Sequence, residues 1–161
     1  MAYETRQASQ PLRRRDIANP MSPRESNSDR LTRRLSGSGA ITAAAETARE
    51  FGEAQWLGGD ELARLCVVVE ELVANLYDHG GMTERDEVVL DFAVEPDGIR
   101  VSIEDSGVSF DPWQAPRKPD VPERGGNVGI DIVRAWASYL SYSPSPECNR
   151  LEFLLPVHWD R

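Results

Sequence analysis

The spacing of apolar residues changes abruptly at Gly80-Gly81, and this change limits the fold more than any other feature of the chain. Before it, Leu62, Leu65, Val69, Leu72, Val73 and Leu76 recur at helical intervals, so a helix from Asp60, a good N-cap, to about Asp78 carries an apolar stripe. After it, Val88, Leu90, Phe92 and Val94, then Ile99, Val101 and Ile103, alternate with other residues at period two. Between those runs Glu95-Pro96-Asp97-Gly98 places Pro and Gly where a tight turn favours them, which makes an antiparallel hairpin. A doubly wound parallel sheet, in which strands alternate with helices, does not fit this order.

The remaining elements fill in around that core. Arg30 to Leu35 reads as an edge strand, and the Ala-rich stretch from Ala40 to about Gln55 as a first helix, broken by Gly58-Gly59. A Pro-rich, charged stretch from Pro112 to Arg124 reads as a flexible loop, followed by a helix from about Val128 to Tyr139. Strands near Leu140 to Ser143 and Arg150 to Val157 flank a turn at Ser143-Pro144-Ser145-Pro146. Hairpin-connected strands and segregated helices predict an α+β fold, a two-layer sandwich with a mixed, mostly antiparallel sheet and helices on one face. The domain spans residues 29–161, and residues 1–28, poor in apolar side chains and rich in Arg, Ser and Pro, read as a flexible basic arm.

Charge separates arm from body. The net charge of the 161 residues is −9, but residues 1–36 hold eight Arg against four acidic residues, leaving net −13 for the other 125. So acidic a body excludes a general nucleic-acid or anionic-membrane binder. The one lysine, Lys118, precedes Pro119, so no G-x-x-x-x-G-K-[ST] loop exists. Cys66 and Cys148 lack metal-ligand spacing and point to a reducing cytoplasm, and His79 and His158 are too few for a multi-histidine zinc centre. No apolar run approaches the ~20 residues that span a bilayer.

Three polar islands interrupt the apolar elements. At 100° per residue Glu71, Asn75 and His79 drift only about 40° per step, so a carboxylate, an amide and an imidazole share one side of the second helix. The carboxylate suits a base and the amide oxygen suits magnesium. Asp105-Ser106-Gly107 follows a strand, where Asp105 can accept from an exocyclic amine and Gly107 permits close backbone approach or positive φ. Arg124-Gly125-Gly126-Asn127-Val128-Gly129 is a glycine-rich turn opening a helix, where free amides attract phosphate. Singly, the islands read first as solvated helix residues, an Asx turn and a hinge; their order along one chain favours a nucleotide site.

In that order the islands resemble the Bergerat-fold (GHKL) ATPases, and most closely their anti-sigma-factor serine/threonine kinase branch. Glu71 to His79 looks like the N box, Asp105-Ser-Gly-Val-Ser-Phe-Asp-Pro112 like the first glycine box, and Gly125 to Ile130 like the second, with the likeness running from about Leu31 to Pro156. The resemblance implies that Glu71 is the general base, Asn75 the Mg2+ ligand, and Asp105 the partner of adenine with Gly107 giving the base room. It implies further that Gly126, Asn127, Val128 and Gly129 present amides to the phosphates of ATP, under a lid from Pro112 to Arg124 whose basic residues are Arg117, Lys118 and Arg124. Two departures stand out: Asn127 replaces a common glycine, and Arg150 to Phe153 offers no Ser or Thr beside adenine.

The function so implied is that of an ATP- and magnesium-dependent protein serine kinase that sequesters a sigma factor and phosphorylates a small STAS-type antagonist. A homodimer is implied too, with the first helix and its preceding strand as the candidate surface. A nucleotide-gated binding module without phosphotransfer is the alternative. A detached sensor histidine-kinase domain is another, but its phosphoacceptor histidine would have to precede the N box, and His79 lies within it.

Overall fold

A computed structural model describes residues 29–115 and 128–159. The arm at residues 1–28, the lid charges Arg117, Lys118 and Arg124, and Gly125, Gly126 and Asn127 lie outside the described residues. The elements run β1 (Arg30–Leu35), α1 (Ala40–Ala54), α2 (Gly59–Asp78), β2 (Val88–Glu95), β3 (Gly98–Asp105), α3 (Val128–Trp136), β4 (Ser138–Ser143) and β5 (Asn149–Pro156).

The strands form one sheet in the order β1-β2-β3-β5-β4. Each of its four ladders is antiparallel, so the mixed sheet expected from the sequence carries no parallel pair among the described strands. Period-two patterning sorts the faces. Leu90, Phe92, Val101, Ile103, Leu151 and Phe153 point into a single core shared with Ala44, Phe51, Leu65, Val69 and Val73 of α1 and α2. Phe51 stacks on Phe92 with ring centroids 5.3 Å apart, tying α1 to the sheet. The opposite face is polar: Arg150 pairs with Glu104 at 2.8 Å and with Glu152 at 3.0 Å, and Arg30 and Thr32 both reach Asp91.

Two element ends differ from the sequence reading for physical reasons. Helix α2 starts at Gly59 with Gly58 as N-cap, because the Glu61 carboxylate accepts from the Gly58 amide at 3.1 Å; Asp60 instead lies in the first turn, where its charge suits the helix dipole. Helix α3 stops at Trp136 rather than Tyr139, since Ser138 and Tyr139 pair with Leu154 and Phe153 of β5 and Tyr139 packs on Trp113 at 5.6 Å. No helix among the described residues is long and apolar enough to cross a membrane.

Candidate nucleotide site

Asp105 is the last residue of β3 and Asn149 the first of β5, and the ladder sets them directly opposite each other. Both are buried in the inward-facing row of their strands, Asn149 at 2 % exposure and Asp105 at 7 %. A carboxylate in that position requires hydrogen-bond partners. The Asn149 amide donates to Asp105 Oδ1 at 3.0 Å and to the Gly107 carbonyl at 2.9 Å, while the Gly107 amide donates to the same Oδ1 at 2.8 Å. Ser109 closes the network by donating its hydroxyl to Asn149 Oδ1 at 2.9 Å. With Oδ1 held by two donors, the carboxylate is locked in orientation.

Gly107 is required by close approach, as the sequence suggested, but its neighbour is the chain itself. A Cβ there would stand 2.7 Å from the Gly80 carbonyl and 3.1 Å from Met82. The Val108 amide donates to that same carbonyl at 2.8 Å, so the first glycine box is riveted to the end of α2.

On α2, Asn75 donates its side-chain amide to the Glu71 carbonyl at 2.7 Å, which leaves its oxygen for a cation. Asn75 and Asp105 line one cleft, walled by Leu72, Leu76, Ile103, Phe110, Pro112, Tyr142 and Leu151. Its apolar walls suit a planar base and its polar pair suits an amine and a metal-bound phosphate. The cavity volume is only ≈ 20 Å³, space for about one water, so a base enters only if a wall shifts. Phe110, 43 % exposed, is the wall side chain with least packing to hold it. Tyr142 opposes it and accepts from the Phe110 amide at 2.7 Å; burial pushes the Tyr142 hydroxyl above the usual phenol value.

Glu71 does not line this cleft. Its carboxylate lies against the start of α3, where a Cβ on Gly129 would overlap Oε2. Val128 at the same helix start is exposed. His79, the third member of the α2 face, caps the helix through its backbone and is exposed. Gly126 and Asn127, the other expected phosphate-facing residues, lie outside the described residues. No cluster of three or more His, Cys, Asp or Glu among the described residues could hold a metal. A cation at Asn75 would therefore draw its other ligands from phosphate and water, as magnesium commonly does.

Residues 112–115, expected as the start of a flexible loop, are anchored. Arg134 of α3 donates Nε and Nη2 to the Pro112 carbonyl at 2.9 and 2.6 Å, and Trp113 packs 6.3 Å from Phe153. Asp111 turns the chain there by accepting from the Trp113 amide at 2.9 Å.

Asn149, Arg134 and Trp113 are the residues that sequence reasoning missed. Asn149 had a signal: it shares the inward register of Leu151, Phe153 and Leu155, where a polar side chain is out of place unless it has a buried partner.

A buried carboxylate at the end of β3 and an amide on α2 thus share one cleft of an α+β sandwich, with Glu71 against the start of α3. Residues 38–154 match the histidine kinase-like ATPase domain, and the chain belongs to that family. It is an ATP-binding module of the GHKL type. A comparison with curated proteins found no match.

Proposed function

We propose that the chain is an ATP- and Mg2+-dependent protein serine/threonine kinase of the anti-sigma-factor type. It would phosphorylate a small STAS-type antagonist protein and sequester a sigma factor, working as a homodimer through α1 and the edge strand β1. The observation that carries the reading is the convergence of Asp105 and Asn75 on one cleft, with Glu71 beside the N-terminus of α3.

The residues divide the work. Asp105, fixed by Asn149 and Gly107, accepts a hydrogen bond from the adenine amine. Asn75 would hold magnesium through its oxygen, and the backbone amides of Gly126, Asn127, Val128 and Gly129 would bind the phosphates. Bound magnesium offsets charge on the transferred phosphoryl group. Glu71 would take the proton of the serine hydroxyl as its oxygen bonds to the γ-phosphorus and the bond from that phosphorus to the β–γ bridging oxygen breaks, releasing ADP.

The test is calorimetry followed by transfer. Wild type should bind ATP more tightly with Mg2+ than without, Asn75→Ala should lose that difference, and Asp105→Asn should lose most binding with or without the cation. Labelled ATP and the antagonist should then give phosphoserine with wild type and none with Glu71→Ala. Absence of phosphoserine while ATP is bound would reject the kinase. That result would leave a nucleotide-gated binding module, a reading favoured by Glu71 lodging against Gly129 rather than in the cleft.

A further inference from the structure

The cleft that Asp105 and Asn75 share has room for about one water, so a purine enters only when a wall moves. Its walls differ in how firmly they are held. Leu72, Ile103 and Leu151 are buried in the core, whereas Phe110 is exposed and stands in a short run between two anchored points. Upstream, the Val108 amide donates to the Gly80 carbonyl and the Gly107 carbonyl accepts from Asn149. Downstream, Arg134, whose side chain is 11 % exposed, donates to the carbonyls of Pro112 and Ala115, and Asp111 accepts from the amides of Trp113, Gln114 and Ala115. A charged donor makes the Arg134 bonds strong ones.

Between the anchors, residues 109–111 form a strap. Ser109 donates to Asn149, and the Phe110 amide donates to the Tyr142 hydroxyl at 2.7 Å. This second bond joins two neutral groups, and at exposed Phe110 water can take the place of Tyr142 when it opens. Phe110 and Tyr142 both line the cleft, so the bond ties one wall to another. Opening it frees a wall without releasing Asp105, which Asn149 and the Gly107 amide hold independently.

On the nucleotide reading above, we propose that Tyr142 controls entry of the base: its hydroxyl holds Phe110 in the closed wall, and nucleotide binds once that bond has opened. Tyr142 is then a positioning residue that acts through Phe110. A typical neutral hydrogen bond shifts such a two-state equilibrium by about 2- to 10-fold. Because only the open form admits a base, the shift appears in the apparent association rate and affinity. A hydroxyl that merely supported the fold would leave association unchanged, and one that touched the nucleotide would act on dissociation.

Stopped-flow mixing of the full chain with mant-ATP and Mg2+ tests this, together with amide hydrogen exchange in the nucleotide-free protein by NMR. Tyr142→Phe keeps the ring and removes the bond. It should speed association about 2- to 10-fold with dissociation unchanged. It should also speed exchange at the Phe110 amide while the Val108 amide, bonded to Gly80, stays protected. Phe110→Ala, which takes away the wall side chain itself, should speed association too, and in that background Tyr142→Phe should add little. Unchanged association in Tyr142→Phe, or unchanged exchange at Phe110, would overturn the proposal. So would faster dissociation, which would make the hydroxyl a nucleotide contact. Failure of the nucleotide reading looks different: wild type and both variants would then bind no mant-ATP, whatever the exchange rates, and the control of entry would fall with it.

Discussion

The Glu71 carboxylate occupies the space that any side chain at Gly129 would need. This contact joins α2 to α3 and fixes where the proposed base stands relative to the start of α3. Gly129→Ala keeps the amide but displaces Glu71, and a base moved by about 1 Å costs roughly 100-fold in rate. Single-turnover transfer should fall by about that factor while calorimetric ATP affinity changes little. In a Glu71→Ala background the same substitution should cost almost nothing more, because the two act through one contact.

Asn149 should matter to both stability and binding. Asn149→Ala removes a donor from buried Asp105 and from the Gly107 carbonyl, at a cost of about 1–3 kcal/mol in urea denaturation. Asn149→Asp sets two carboxylates together and raises the pKa of one. A raised carboxylate pKa penalises the native state as pH climbs through it, so this variant should be more stable in mild acid than at neutral pH.

Tyr77 is a place where the fold can be improved. Its hydroxyl is buried without a hydrogen-bond partner among the described residues, and burial raises its pKa. Tyr77→Phe removes an unsatisfied polar group and should stabilise the protein by about 1 kcal/mol, read as a higher urea midpoint with an unchanged slope.

Glu152 sets part of the acid limb of stability. The Ser141 hydroxyl, which donates to it at 2.9 Å, chiefly holds its carboxyl below the usual glutamate value, with Arg150 and Arg100 adding to the effect. A depressed pKa contributes stability that is complete above the ordinary glutamate value and is lost as pH falls through the native one. Glu152→Gln should therefore lower the denaturation midpoint at neutral pH and flatten its decline in acid.

The fold was legible where local pattern and tertiary packing agree. Helix α2 and the β2–β3 hairpin followed from apolar period and the Pro96-Asp97 turn, because these pairings are local. The end of α3 was not, since the competing claim on Ser138 and Tyr139 comes from β5, whose register no local propensity reveals. The cleft pair Asp105 and Asn75 could be named because each sits in a short motif of fixed chemistry. Asn149 could not, because its meaning depends on standing opposite a residue 44 positions away. The sequence assigns Gly107 to the approach of a base and Gly129 to a phosphate-binding amide; in the folded chain their missing side chains make room for Gly80 and Glu71, neighbours distant in sequence.

The strand order β1-β2-β3-β5-β4 inserts β5 between two strands synthesised before it. A growing chain that has reached β4 lacks both the second neighbour of β3 and the amide that restrains Asp105. During translation, then, the Asp105 end of the cleft stays unfinished until β5 emerges.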